Sequence, residues 1–128
     1  MPHNLLRFEG TATLPSDFAL SGRTPHRDLW EECFSKLRDF RDLQDDWDGL
    51  GAESPFGWAI RGAIELAEKL QQQGMQAPAR VIPGVTGTVL FEWQNDGLFV
   101  EMEVTSESSA DVLVMRDGQP PLNGAASW

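Results

Sequence analysis

The segment from Thr88 to Val104 constrains the fold more than any other part of the chain. Val89, Phe91 and Trp93 alternate with polar or mixed positions, and Leu98, Val100, Met102 and Val104 repeat the pattern after Asn95-Asp96-Gly97. A period of two marks half-buried strands, and an Asp-Gly pair between two such runs predicts a two-residue type I′ hairpin turn. That turn sets the register. It pairs Trp93 with Val100, Phe91 with Met102 and Val89 with Val104, all apolar, whereas a slip by one residue sets Trp93 against Phe99 and mixes the faces. On the other side of the hairpin, Glu92 falls opposite Glu101, with Glu103 two positions along and opposite Leu90. Like charges facing one another across strands are destabilising by up to ~1 kcal/mol, so their clustering invites a reason.

Upstream, the period is helical. Trp30, Cys33, Leu37, Phe40 and Trp47 form a stripe widened by Leu29, Phe34 and Leu43, which predicts an amphipathic helix over about 28–46. Thr24-Pro25 or Asp28 can start it, and Asp28, Glu31 and Glu32 suit the first turn. It stops at Trp47-Asp48-Gly49-Leu50-Gly51-Ala52, where two glycines permit a chain reversal. Ser54-Pro55 reads as the N-cap and first residue of a second helix, about 55–73, with Ile60, Ala63, Ile64, Ala67 and Leu70 on one face. Short strands are expected at 79–82 and 112–115, flanking the hairpin. Residues 1–27, punctuated by Pro15, Ser21-Gly22 and Thr24-Pro25, read as an N-terminal extension with room for one short strand. Residues 118–128 read as a flexible tail. The expected fold is one α+β domain over 28–117, two helices packed on one face of a three- to four-stranded antiparallel meander.

Charge bounds the partners. The chain of 128 residues has a formal net charge of −10, and the negative charge is concentrated in two places. Residues 39–53 hold Asp39, Asp42, Asp45, Asp46, Asp48 and Glu53 against Arg41, and residues 92–117 hold seven acids against Arg116. Such a surface repels phosphate backbones and anionic head groups, so direct nucleic-acid or membrane binding is not expected. A basic protein is the natural counterpart. Leu90 and Phe99 share the outer hairpin face with Glu92, Glu101 and Glu103 and make it a partly apolar docking surface. Asp42, Asp45 and Asp46 are the candidates in the other patch. No apolar run reaches the ~18–20 residues of a membrane span, and the start lacks a secretory leader, which implies a cytoplasmic protein.

Catalytic patterns are scarce. His3 and His26 lie far apart, and Cys33, the single cysteine, occupies the helical stripe and reads as a buried small hydrophobe. No nucleophile elbow, phosphate-binding glycine loop or zinc-helix motif occurs. Asp45-Asp46-Trp47-Asp48-Gly49 has the look of a calcium loop, but aligning Gly49 with the required glycine puts Gln44 and Pro55 where ligands must stand. The alternative is structural: Trp47 anchors the helix end, Asp48 holds the turn of Gly49 and Gly51, and Pro55 starts the next helix. No cofactor or resident metal is expected.

Trp47-Asp48-Gly49-Leu50-Gly51-Ala52 with Pro55, then Phe91-Glu92-Trp93 and Glu101-Met102-Glu103, resembles a loose group of small bacterial proteins. In these a W-D-G-aromatic-G-A turn joins two helices ahead of a meander with an L-E-W strand and an E-I-E strand. The match covers about 37–104 and departs at Leu50, where an aromatic is usual. The resemblance implies a bacterial, cytosolic protein of a mobile-element or defence-type setting, and no reaction. Together these features point to a non-enzymatic acidic interaction module, antitoxin-like or an accessory subunit, that binds a basic partner. The alternatives are a metal-dependent hydrolase using the surface glutamates and a DNA mimic that blocks a nucleic-acid-binding protein.

Overall fold

The computed structural model describes residues 5–19 and 27–128. The Ser21-Gly22 and Thr24-Pro25 signals, His3 and His26 lie outside them. Eight regular elements follow in order: β1 (Arg7–Gly10), α1 (Arg27–Asp39), α2 (Gly57–Gln72), β2 (Arg80–Pro83), β3 (Val89–Asn95), β4 (Leu98–Ser106), β5 (Ser109–Arg116) and β6 (Leu122–Ser127). The fold is α+β, with both helices against one antiparallel sheet of order β1-β6-β5-β4-β3-β2. Six strands replace the three to four expected.

The hairpin register is the one the apolar pairing demands: Trp93 faces Val100, Phe91 faces Met102 and Val89 faces Val104. All six side chains are buried against the helices, and each apolar side chain buried this way stabilises the fold by roughly 1.5–3 kcal/mol. The turn departs from type I′. Gly97 takes a positive φ of 67° but Asp96 does not, whereas the I′ form needs both. Two contacts hold the turn instead: Asn95 Oδ1 accepts the Asp96 N–H at 3.0 Å, and the Gly97 carbonyl accepts the Asp117 N–H at 2.9 Å from the next connection.

Two helix boundaries also move. α1 ends at Asp39, and a single 3-10 turn over Phe40–Asp42 carries the stripe one residue further before Leu43 becomes extended. The predicted continuation to 46 fails because Asp45 and Asp46 spend their carboxylates on loop amides, a local competition in which aspartate leaves the helix. α2 begins at Gly57 rather than at Pro55. The N–H groups of Glu53 and Phe56 instead donate to the carbonyls of Val85 and Gly87, both at 2.9 Å, so this stretch runs extended beside the β2–β3 connection.

The largest correction concerns the last eleven residues. Where a flexible tail was expected, Leu122–Ser127 pairs with β5 on one side and β1 on the other, and Trp128 is buried with its N–H on the Ser108 carbonyl at 2.9 Å. The small residues that read as loose are what close packing requires. A Cβ on Gly124 would stand 2.5 Å from the Glu9 carbonyl oxygen and 2.7 Å from that of Ala12. The chain at the end of β1, from Glu9 to Ala12, therefore passes Gly124 at a distance that only glycine permits.

One core joins the layers. Trp30 and Trp93 donate their indole N–H groups to the carbonyls of Met75 and Gln76, each at 3.0 Å, which pins the segment entering β2. Cys33 is buried, and burial pushes its thiol up to about 12.

Candidate docking face on the open side of the sheet

The register that buries one hairpin face dictates the other. Ladder alternation can be counted from two ends. The two-residue turn makes Asn95–Leu98 the closing hydrogen-bonded pair, and at the β2–β3 end the Gly84 N–H donates to the Thr88 carbonyl at 2.8 Å. Both counts put odd-numbered β3 residues in hydrogen bonds to β4 and even-numbered ones in hydrogen bonds to β2. Glu92 and Glu101 are thus a non-hydrogen-bonded pair across β3 and β4, the arrangement in which facing side chains stand closest.

Each of the three glutamates has a different environment. Glu92 has only 16% of its side chain exposed and takes an ion pair from Arg80 of β2, Nη1 to Oε1 at 3.4 Å. Glu103 accepts a hydrogen bond from the Thr88 hydroxyl at 2.8 Å. Glu101 has no ion pair or side-chain hydrogen bond to any described residue. Partial burial, and then repulsion from Glu92 and Glu103, raise its carboxyl pKa above the ordinary value. One glutamate of the cluster is thus neutralised within the molecule and one is satisfied by a hydroxyl. The central one keeps an unmatched charge.

Neighbouring strands extend this face. β5 sets Leu113 opposite Glu101, Met115 opposite Phe99, and Asp111 opposite Glu103. Met115 and Asp111 are exposed, while Leu90, Phe99 and Leu113 are half-buried. The result is a carboxylate strip of Glu92, Glu101, Glu103 and Asp111 lying between Leu90 on one side and Leu113, Phe99 and Met115 on the other. The helices pack on the reverse of the sheet, so no described helix covers the strip. Asp111, Leu113, Met115 and Arg80 were not among the sequence candidates. Placing Asp111, Leu113 and Met115 requires the β4–β5 register, which a bulge between Val104 and Ser106 shifts by one residue, and placing Arg80 requires that of β2 and β3.

Asp42, Asp45 and Asp46 do not join the strip. They belong to the connection between the helices, where Asp45 Oδ1 accepts the Ser54 N–H at 2.9 Å and Asp46 Oδ1 accepts that of Gly51 at 2.7 Å. Asp48 Oδ1 accepts the N–H groups of Leu50 at 2.8 Å and Ala52 at 3.1 Å, and the Trp47 indole donates to the Glu53 carbonyl at 2.8 Å. These amide donors lower the carboxyl pKa of Asp45 and Asp48. Asp46, at a φ of 65°, joins Gly49 and Gly51 in the left-handed region, and Pro55 is buried behind the loop. The acidic run is a set of staples for a tight loop, with Leu50 at its tip 89% exposed.

Among the described residues no three His, Cys, Asp or Glu side chains are grouped to hold a metal ion, and no helix is long and apolar enough to cross a membrane. No family model, curated protein or solved structure matches the chain.

Proposed function

We propose that this protein is a non-enzymatic interaction module that docks a basic protein partner on the open face of its sheet. Its role is antitoxin-like or that of an accessory subunit in a bacterial mobile-element or defence-type system. The observation that carries the reading is Glu101, a carboxylate with no cation partner among the described residues, held between two other glutamates and flanked by Leu113 and Phe99. An arginine or lysine arriving from a partner supplies the missing charge, and the apolar flanks supply desolvated contact around it. The 39–53 patch plays a smaller part than its charge suggests, since Asp45, Asp46 and Asp48 serve their own loop.

The test is affinity capture from the native host with crosslinking, followed by quantitative binding of the captured partner. Glu101→Lys is expected to weaken binding on the order of tenfold, ~1.4 kcal/mol, with a steep salt dependence in the wild type. Unchanged affinity would remove the sheet face from the account. Displacement of the partner by duplex DNA would favour the DNA-mimic version of the same surface.

A further inference from the structure

β3, β4 and β5 each pair with a strand on both sides, so the main-chain groups beneath the open face are committed to the sheet. What that face offers a partner is side chains, and the ladder sets them in rows. Gln94, Phe99 and Met115 form one row across the three strands, Glu92, Glu101 and Leu113 the next, and Leu90, Glu103 and Asp111 the third. Beside the first row lies an open depression of about 500 Å³, walled by Gln94, Phe99 and Met115 and by Asn95, Gln119 and Pro121 of the flanking connections. Leu98 and Arg116 also border it, but by alternation their side chains point to the reverse of the sheet, and Arg116 pairs with Asp17 at 3.6 Å. The other charged residue there is the acid Asp117, so the depression continues the negative sign of the strip.

We infer that this face takes an amphipathic helix from the basic partner, with a large apolar side chain seated in the depression and Arg or Lys over the glutamates beyond it. The assignment rests on the docking of a basic partner proposed above and adds the form that partner takes. Helix rather than strand follows from the committed main chain. An extended segment laid flat on this face buries N–H and C=O groups with nothing to receive them, whereas a helix arrives with its own satisfied. The spacing fits as well. Successive rows stand two residues apart along a strand, ~6.8 Å, and a helix climbs ~6 Å in four residues and ~10.5 Å in seven. An apolar residue at i beside Phe99 and Met115 therefore brings a cation at i+4 over Glu92 and Glu101. A second cation at i+7 reaches Glu103 and Asp111, ~13.6 Å from the first row, through the length of its side chain. These three positions share one helix face. Charge selects the occupant: the four carboxylates of the strip have one cation among the described residues, Arg80 on Glu92. A second copy of this chain, itself of net charge −10, is repelled.

The experiment is an NMR titration of the isotope-labelled full chain with a capped, Ala-rich peptide of about 20 residues, long enough to be helical in water. The peptide carries Leu at i and Arg at i+4 and i+7. Expected are shifts of the Phe99, Glu101, Leu113 and Met115 amides. Binding should be roughly fivefold weaker or more when a central proline breaks the peptide helix, or when its Leu moves to i+2 on the other face. Replacing that Leu by Ala should cost about fivefold against the wild type and nothing against Met115→Gln, a change at an exposed position. Equal affinity of the proline peptide, indifference to where the Leu stands, or a Leu effect that survives Met115→Gln would each overturn the helix assignment. If Arg-dependent shifts at Glu101 persist in those cases, a basic partner still docks there in another form. If no Arg peptide shifts Glu101, the helix assignment and the docking of basic partners on this face fall together.

Discussion

Replacing Glu101 with glutamine isolates what the carboxylate strip costs the fold. Glutamine keeps the shape of the side chain and its contacts with Leu113 and Phe99, and removes one charge from between Glu92 and Glu103. A like-charge pair across strands is worth ~0.2–1 kcal/mol, and Glu101 has a second glutamate two positions along its own strand. The expected gain at neutral pH is therefore ~0.5–1 kcal/mol, which at about 4 °C per kcal/mol for a chain of this size raises the melting temperature by ~2–4 °C. The pH dependence has a definite sign. Burial and the neighbouring glutamates raise the native pKa of Glu101 above its ordinary 4.5, so the folded protein holds this proton more tightly than the unfolded chain does. Between the two values the native state binds more protons, and stability falls as pH rises. The advantage of Glu101→Gln is thus absent below the ordinary pKa, opens as pH climbs through the raised native one, and is constant above it. Urea unfolding followed by tryptophan fluorescence from acidic to neutral pH measures both curves. A variant less stable than wild type at pH 7, or a gap that does not change with pH, would refute the reasoning.

Four further outcomes are expected. Gly124→Ala should lower stability by about 1–3 kcal/mol in the same urea assay, because the added methyl meets two backbone oxygens that cannot yield, while Ala125→Ser on the opposite face should be near neutral. Asp48→Ala should speed proteolysis of the 47–52 loop at neutral pH and flatten the acid limb of the stability curve. The native pKa of Asp48 is lowered by two amide donors, so its contribution is present above the ordinary carboxylate value and is lost as pH falls through the lowered one. Cys33 should stay unmodified by a disulfide reagent at pH 8 for as long as the urea-unfolded chain needs to react fully, since a thiol pushed up to about 12 is ~10⁻⁴ thiolate there. Arg80→Gln should strengthen the binding of a basic partner on the sheet severalfold in a quantitative binding assay, because Glu92 then loses its cation.

What the sequence disclosed follows the strength of local pattern. The hairpin register and the glutamates it sets face to face were legible because a two-residue turn leaves one alignment that keeps Val89, Phe91 and Trp93 on the face of Val100, Met102 and Val104. β6 was hidden for the opposite reason. Leu122-Asn123-Gly124-Ala125-Ala126-Ser127 has weak strand propensity, and its pairing is set by a β1 residue more than a hundred positions away. Asp45 and Asp46 are an intermediate case: their number suggested a binding patch, but which backbone amide a carboxylate accepts depends on a loop conformation that charge counting does not reveal. Asp111 was missed because its place depends on a bulge, and a single extra residue moves every following side chain to the other face.

The apolar side of the hairpin is forced by the core, so the fold leaves its outer side free to carry almost any polar residue. Threonine or lysine opposite Glu92 would pair better than Glu101 does, and the chain supplies such partners elsewhere: Thr88 serves Glu103 and Arg80 serves Glu92. A destabilising residue left between two glutamates that do have partners is consistent with a charge reserved for something outside the molecule.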